Sequence, residues 1–436
     1  MIPVILIWAL AALNLFPESS SRRSLDECIE IGLSNSKIIQ ESRIAASLTR
    51  ERVAEARAGF LPSLTLKAAY QRLSETEPAT ISLPSPSTGS VEFPPSIANQ
   101  YSLGASLKQP LFTGFRLLSS VSKARNAADR SLQDYETVRL NLIFHIKMTY
   151  YNLAKAVESQ KVVEESLDQV SAHLQDVKNY FTQGLATNHD VLNADMKLAD
   201  TTLLQIESEN SVKLASVNLS ILLGLPMGEK IIPVLPEHHK GAGPGDLEGL
   251  IQEALQKRPE VMSALYQIRE SESDVSIAQS GWYPNIFLTG GYQYARPNPR
   301  IFPQKDEFIS AWDVGVSVSI DPAMFGAVAS RTSQARENLA RTHIALGRLR
   351  DDIRVEVVES YLRLEKDGKA IEVAKLMVAQ AEENLRIVKE KFGTGLSRPT
   401  ELLDADVDLQ QARLRYTRAV IDFEIDRAAL ERATGK

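Results

Sequence analysis

The chain has 436 residues, of which 44% are hydrophobic and only 6% are aromatic. Ala, Leu, Glu, Lys, Arg and Gln fill long stretches, a bias that favours long helices and coiled coils over a compact aromatic core. The net charge of −6 and the lack of a clustered basic face exclude a nucleic-acid-binding protein, so no nucleic-acid partner is expected.

The first residues resemble a targeting segment. Residues 2–16 form the apolar run IPVILIWALAALNLF, and PESSSRR follows it. A short apolar run before small and polar residues is typical of a secretory signal peptide. The sequence therefore predicts a signal peptide over residues 1–21, with a buried first helix as the alternative.

Cys28 is the only cysteine, so an intrachain disulfide is excluded. The residues before it, SLDE, are not the small and apolar ones that lipid attachment requires, so Cys28 is predicted to be an unmodified, half-buried helix residue. After the N-terminus no run approaches the ~20 apolar residues of a transmembrane helix. If this chain spans a membrane, it does so with strands.

Two pairs of segments predict β-hairpins. EARAGFLPSLTLKAAYQR resembles AQSGWYPNIFLTGGYQYAR, and LGASLKQPLFTGF resembles VGVSVSIDPAMFG. In each, apolar and polar residues alternate over about 9–11 positions, as in a membrane strand with one face to lipid and one to a polar lumen. We predict β-hairpins over residues 63–110 and 285–320. Half-buried soluble hairpins are the alternative, and the Pro- and Ser-rich residues 74–100 are predicted to form a surface loop.

Aromatic residues on the apolar face lie at the loop end of these hairpins. This is where the aromatic girdle of a membrane barrel meets the lipid headgroups. Trp282, Tyr283 and Phe60 are candidates for the opposite rim. The residues predicted to form the girdle are Tyr70, Tyr101, Tyr292, Tyr294 and Trp312.

Long helices follow each hairpin. Residues 116–183 contain no glycine or proline and repeat apolar residues at spacings of three and four, which predicts a helix about 100 Å long. A counterpart is predicted over residues 327–392, where Gly347 and Gly368 are expected to loosen it. Shorter helices are predicted over residues 190–223 and 399–433, and further helices lead into the hairpins, over residues 24–58 and 244–279.

A turn between two helices occurs twice. FTQGLATNHDVLNAD begins at Phe181, and FGTGLSRPTELLDAD begins at Phe392, with identical phenylalanine, glycine, leucine, alanine and aspartate positions. The glycine ends one helix, and Asn188, His189 and Asp190 offer caps for the next. The chain is therefore predicted to be duplicated, with a first repeat over residues 22–223 and a second over residues 246–436. Between them lies a Pro- and Gly-rich linker, residues 224–245, with a short structured piece near residues 231–235.

Four strands cannot close a barrel, and an open sheet edge is not tolerated in lipid. If the strands lie in a membrane, several copies of the chain must share one barrel. A dimer would supply eight strands and a trimer twelve. All helices would then project from one side of that barrel, which explains why each strand pair has its own helical turn.

The order of elements, the motifs LPSLTLKAAYQR and QPLFTGF, and the paired F-x-x-GL…LxAD turns resemble the TolC family of outer-membrane efflux proteins. The resemblance implies a mainly α fold in which duplicated long helical hairpins form an α-barrel, with four strands per chain in a shared 12-stranded β-barrel. It implies a homotrimer in the cell outer membrane that extends into the periplasm and contacts outer-membrane lipid. The function implied is a passive exit duct from the periplasm to the outside. Such a duct serves a tripartite efflux or type I secretion system, with a periplasmic adaptor (membrane fusion) protein and an inner-membrane transporter as partners.

The resemblance also implies a gate at the helical turns, where acidic side chains form the narrowest ring. Three copies would bring six carboxylates together, giving cation preference and raised pKa values through mutual repulsion. The alternative is that these acids cap and complement the helix N-termini. The matching gate candidates are Asp190, Asn193, Arg398, Glu401 and Asp404.

No pattern of covalent chemistry is found, so the chain is predicted not to be an enzyme and to need no cofactor or metal. His238 and His239 lie beside Glu237 in the linker without a further ligand at metal spacing, and residues 404–408 begin like a calcium loop but lack its glycine. Phosphate loops and nucleophile elbows are absent from the sequence. The alternative function is a periplasmic adaptor or structural coiled-coil envelope protein without a pore.

Overall fold

The computed structural model describes residues 21–74, 79–81, 91–93, 97–226, 231–234, 245–394 and 396–436. Most of the predicted signal peptide, much of the predicted loop of the first hairpin, and the linker histidines lie outside these residues. The described residues form eight α-helices, eight strands and two short 3-10 helices.

The helices account for most of the described chain. Their bounds are Leu25–Asn35 (α1), Lys37–Ala58 (α2), Arg116–Thr182 (α3), Asn188–Leu223 (α4), Leu247–Lys257 (α5), Pro259–Gln279 (α6), Phe325–Gly393 (α7) and Pro399–Ala433 (α8). The 3-10 helices, Ser280–Trp282 and Pro322–Met324, precede β7 and α7. The strands are Ser21–Arg23 (β1), Ser63–Arg72 (β2), Ala79–Ile81 (β3), Val91–Phe93 (β4), Asn99–Thr113 (β5), Ile231–Pro233 (β6), Asn285–Arg296 (β7) and Ile309–Ser319 (β8).

Two predicted helices are each divided in two. The helix expected over residues 24–58 is broken at Ser36, whose extended backbone (ψ 125°) caps α1 through its N–H to the carbonyl of Gly32. The helix expected over residues 244–279 is broken at Arg258 (ψ 127°) because Pro259 follows, and a residue before proline is sterically driven out of the helical region. The prediction of single helices was therefore wrong at both places.

Helix α7 is continuous through Gly347 and Gly368, contrary to the expected loosening. Its inner side buries Ile353, Val357 and Leu364. Apolar burial of this kind outweighs the roughly 1 kcal/mol by which a glycine disfavours a helix.

The main sheet has the strand order β2-β5-β7-β8, and every neighbouring pair is antiparallel. Tyr70 lies opposite Tyr101, Leu103 opposite Tyr294, and Tyr292 opposite Trp312. Residues directly opposite each other point to the same face, so this register collects the apolar positions of all four strands on one side. The other side carries their polar partners.

The remaining four described strands form two small sheets. The strands β1 and β6 pair in parallel, and β6 coincides with the short structured piece expected in the linker. The strands β3 and β4 pair antiparallel, with residue 79 opposite residue 93. The segment predicted to form a surface loop therefore contains a short strand pair.

The described chain divides into two compact units. One consists of residues 21–46, 132–263 and 346–436, and contains both helical turns. The other consists of residues 47–131 and 264–345, and contains the main sheet with the adjoining helix ends. This division cuts across the two predicted repeats, which stay a prediction.

The core of the turn-bearing unit is built around Tyr150, Ile146 and Leu153. The Tyr150 hydroxyl accepts the N–H of Val234 at 2.7 Å and donates toward the carbonyl of Arg23 at 3.0 Å, which joins the β1–β6 sheet to α3. Cys28 belongs to this core and is fully buried, more than the half-buried position predicted. Burial raises the pKa of its thiol to about 11.

Among the helices that the structure describes, none combines the length and apolar composition needed to cross a membrane.

Candidate functional site

The first helical turn is closed by a glycine and a capping box. Gly184 has a left-handed backbone (φ 75°), and the N–H of Leu185 bonds the carbonyl of Tyr180 at 2.9 Å. The cap of α4 is Thr187, not one of the three residues expected from the sequence, because only Thr187 exchanges hydrogen bonds with Asp190 as a capping pair. The Thr187 hydroxyl donates to Asp190 at 2.6 Å and lowers the pKa of this carboxyl.

The second turn also has an acid that is hydrogen-bonded at the start of the helix, but it lacks the capping side chain. Arg398 stands at the cap position of α8, where it makes no side-chain capping bond. The carboxylate of Glu401 accepts a hydrogen bond from the Ser397 hydroxyl, which lowers the pKa of Glu401, and a contact with the backbone of Arg398 lowers it further. In the single chain, both acids therefore complement helix N-termini, as the alternative interpretation held. The raised pKa values expected from three copies stay a prediction.

Arg398 acts on both turns. The hydrogen bond from Thr187 to Asp190 and the one from Ser397 to Glu401 are the largest causes of the two lowered pKa values. The positive charge of Arg398 lowers both pKa values further. The structure thus brings Asp190, Arg398 and Glu401 into electrostatic reach of one another. Asn193 turns instead to His189, with its amide nitrogen 3.1 Å from the ring nitrogen Nε2.

An acidic stripe continues along α8 from the second turn. Glu401, Asp404 and Asp408 are exposed at spacings of three and four, so they share one face of the helix. Asp408 was not among the predicted gate residues, although its spacing from Asp404 was a usable signal. Asp406 lies on the buried side, where burial raises its pKa. Among the described residues, no group of His, Cys, Asp or Glu side chains could hold a metal ion.

A buried histidine lies just before the first turn. His173 is 4% exposed, and burial lowers its pKa. Its ring centroid is 5.7 Å from that of Phe392, and Tyr180 meets Phe392 edge-on at 5.2 Å. The repeated phenylalanine of the second turn therefore packs helix α7 against α3.

The apolar face of the main sheet is exposed in the single chain. Leu66 is 74% exposed and Val314 is 68% exposed, and they share this face with the predicted girdle residues. Tyr70 and Tyr101 have ring centroids 5.0 Å apart. Phe308 stacks on Tyr294 at 5.1 Å and extends the aromatic band, although it lies outside the alternating pattern and was not predicted.

A second aromatic cluster lies where the strands meet the helices. Phe112, Phe115 and Tyr283 contact one another edge-on at 5.3 to 6.3 Å. Trp282 packs on Phe325 at 5.0 Å. Two of the three aromatic residues suggested for the opposite rim, Trp282 and Tyr283, therefore lie in aromatic contacts at that end of the sheet.

The polar face holds the connection between β7 and β8. Arg300 pairs with Asp313 at 2.6 Å, and the buried Asn298 bonds the carbonyl of Ile309 at 2.8 Å and the N–H of Arg300 at 3.0 Å. At Gly291 a Cβ atom would lie 2.7 Å from the Asp313 carboxylate, so glycine leaves the space for this ion pair.

An antiparallel sheet with one exposed apolar face and aromatic residues at both ends, in a chain that also forms long helical hairpins, defines the subunit of a membrane-embedded channel. The chain belongs to the outer membrane efflux protein family, whose model matches residues 29–225 and 250–436.

Two relatives and one solved structure support this family membership. TolC of Vibrio cholerae serotype O1 is 21% identical over 386 residues, which are 88% of this chain and 84% of that protein. The outer membrane efflux protein BepC of Brucella suis biovar 1 is 21% identical over 402 residues, which are 92% of this chain and 83% of that protein. The solved structure of the Vibrio cholerae outer membrane protein VceC shares the fold, with a TM-score of 0.78, 17% identity, and coverage of 94% of this chain and 96% of that one.

These comparisons confirm the resemblance to the TolC family and the mainly α fold with a β part. They also confirm an outer-membrane channel of an efflux or secretion system that extends into the periplasm, rather than an adaptor without a pore. The family consists of channel proteins, and nothing in it points to an enzyme.

Proposed function

We propose that three copies of this chain close a ring and form the exit duct of a tripartite efflux or type I secretion system. The single observation that carries this proposal is the open main sheet. Its two edge strands, β2 and β8, are almost entirely exposed. In the described sheet, β5 and β7 each pair with two neighbouring strands, whereas β2 and β8 each pair with one.

Sheet edges with unpaired N–H and C=O groups are not stable in lipid, so each edge requires a partner strand. Direction alternates along the order β2-β5-β7-β8, and β2 of a second copy placed beside β8 continues the alternation. Copies can therefore add head to tail without a parallel junction. Three copies give the twelve strands that the family resemblance implies.

Exposed apolar stripes on two helices support the same head-to-tail contact. On α4, Leu192 is 58% and Leu214 is 64% exposed, and on α7, Val355 is 57% and Val373 is 60% exposed. Such surface is unfavourable in water and marks an interface. Because the two stripes lie on different helices, a contact between unlike surfaces would bury both and generate a ring.

The proposed partners follow from the family to which the chain belongs. We propose a periplasmic adaptor and an inner-membrane transporter, with the helical turns as the gate and the exposed acids Glu401 and Asp404 as its constriction. Asp190, Asn193 and Arg398 complete this gate. In the membrane, Tyr70, Tyr101, Tyr292, Tyr294 and Trp312 form the outer aromatic girdle. Each repeat, residues 22–223 and 246–436, supplies one strand pair and one helical hairpin.

The stoichiometry is tested by native mass spectrometry of the detergent-extracted protein. We expect a single species with three chains. A monomer, or partition of the protein with the aqueous fraction, would refute the ring.

The gate is tested in planar bilayers. We expect cation-selective conductance from the wild type and reduced selectivity from Glu401→Ala/Asp404→Ala. Asp200→Ala is the matched control, since Asp200 is an exposed aspartate of α4 away from the turns. Absence of conductance would contradict the pore, whereas unchanged selectivity would contradict only the acidic constriction.

A further inference from the structure

A polar cleft lies beside the second aromatic cluster, within the sheet-bearing unit. It has a volume of about 420 Å³ and is formed where the end of α6 and the following 3-10 helix meet the first turns of α7. The predicted gate and girdle do not include it. Its lining residues are Gln279, Trp282, Tyr283, Ala329, Thr332 and Arg336.

Thr332 lines this cleft and carries a buried hydroxyl without a hydrogen-bond partner in the described part of the chain. The residue is 6% exposed, and its Oγ1 atom has no hydrogen-bond partner among the described residues. Helical threonines elsewhere in the chain bond the carbonyl four residues back, as Thr137 does at 3.1 Å and Thr201 at 2.9 Å. A buried hydroxyl that forms no hydrogen bond lowers the stability of the fold, which indicates that a ligand or a water molecule bonds to it.

The cleft is rich in donors. Arg336 lies one helical turn after Thr332 on the same face of α7 and forms no ion pair with any residue that the structure describes. Gln279 adds a side-chain amide, and no carboxylate is among the lining residues. One guanidinium with neutral donors matches the single negative charge of a phosphodiester.

One side of the cleft lies close to the apolar face of the sheet. The ring of Tyr283 is 6.3 Å from that of Phe112, and Phe112 pairs with Ile286 on the apolar face. At this end the strands give way to helices, as at a membrane interface where aromatic rings lie at headgroup level. We propose that the cleft binds the phosphodiester headgroup of an anionic phospholipid, with Arg336, Thr332 and Gln279 as its ligands. This inference rests on the proposed contact of the apolar face with lipid.

The experiment measures thermal unfolding of the purified full-length oligomer in neutral detergent while phosphatidylglycerol, phosphatidylcholine or inorganic phosphate is added. We expect phosphatidylglycerol to raise the unfolding midpoint of the wild type, because a ligand of the folded state stabilises it by mass action. Arg336→Gln is expected to weaken this response roughly tenfold in lipid concentration. Thr332→Val is expected to weaken it as well, while raising the midpoint of the lipid-free protein by removing the unpartnered hydroxyl.

Arg331→Gln is the matched control, because Arg331 is exposed on the same turn of α7 but does not line the cleft. It is expected to respond to phosphatidylglycerol like the wild type. An equal response of Arg336→Gln, an equal effect of phosphatidylcholine, or an equal shift with inorganic phosphate alone would overturn the proposal. Bilayer conductance of Arg336→Gln separates this site from the duct, since loss of the lipid response with intact conductance leaves the proposed function standing.

Discussion

The guanidinium of Arg300 donates from Nη2 to Oδ1 of Asp313 at 2.6 Å, and so holds the β7–β8 connection over the polar face of the sheet. A second pair, Arg296 with Asp306, closes the base of the same connection through two hydrogen bonds of 2.8 and 3.0 Å. In a closed barrel the polar face lines the lumen. The connection would then narrow the outer mouth of the duct.

Arg300→Ala is expected to increase single-channel conductance in planar bilayers, because the connection loses its ion pair with β8. Both side chains of the pair are about half exposed, so the ion pair contributes little to folding and the thermal midpoint should stay unchanged. Lys305→Ala is the control, since Lys305 forms an ion pair with Glu307 at 3.6 Å within the same connection. Equal conductance of Arg300→Ala and the wild type would show that the pair does not restrict the mouth.

The assignment of the two sheet faces is testable at adjacent residues of β8. Val316→Lys is expected to reduce assembly into the outer membrane, because a lysine on the lipid side near the bilayer midplane costs about 2–4 kcal/mol. Ser317→Lys changes the next residue, which points to the opposite face, and should assemble normally. The measurement is the amount of heat-resistant oligomer in outer-membrane fractions. Similar loss in both variants, or in neither, would contradict the assignment.

The strands and long helices could be predicted because each has a sustained period. Alternation over residues 63–72 and 309–319 fixes which side chains share a face, and the observed register follows it. The three-residue strands β1 and β6 are too short to show a period, so their pairing became visible only in the structure. Phe308 likewise joins the aromatic band from a connection without a pattern.

Finer details of the turns depend on local hydrogen bonds that composition does not reveal. Thr187 and Asp190 form a capping box, but the sequence offered several polar residues that could start the same helix. At the equivalent place in the second turn, the side chain of Arg398 makes no capping bond. Its effect on the pKa of Asp190 depends on proximity in space, which the sequence does not show. The burial of His173 depends on Phe392, which is more than two hundred residues away in the chain.

The strand-to-helix junction after β5 depends on Gly114. Its backbone is left-handed (φ +59°), and a Cβ atom would lie 2.4 Å from the carbonyl oxygen of Ser280. Gly114→Ala is therefore expected to destabilise the protein by about 2 kcal/mol or more and to lower the yield of folded oligomer. Gly347→Ala is the opposite control, because Gly347 lies in α7 with nothing within 4 Å of its Cβ position, and it should stabilise by about 0.5–1 kcal/mol. Thermal unfolding measures both effects, and a harmless Gly114→Ala would contradict the account.

A carboxyl pair between α7 and α8 predicts a pH dependence of stability. Burial, together with a hydrogen bond that the protonated Asp426 donates to the neighbouring Asp367, raises the pKa of Asp426 to about 6. The unfolded value is about 3.9, so the folded state binds the proton more tightly, and this group destabilises the fold increasingly as pH rises from about 4 to about 6. Above that range the penalty is complete. Asp426→Asn removes it and is expected to stabilise the protein by roughly 2 kcal/mol at pH 8, but very little at pH 4.

The measurement for this pair is the thermal midpoint of wild type and Asp426→Asn across pH 4 to 8. The difference between the two should grow between about pH 4 and pH 6 and then stay constant, because only the folded-state proton of Asp426 distinguishes them. Asp351→Asn is the control, since Asp351 is an exposed carboxylate of α7 that pairs with Arg354 one turn away. A difference that is independent of pH, or one that is largest at low pH, would show that Asp426 is ionised in the folded protein and that Asp367 does not share its proton.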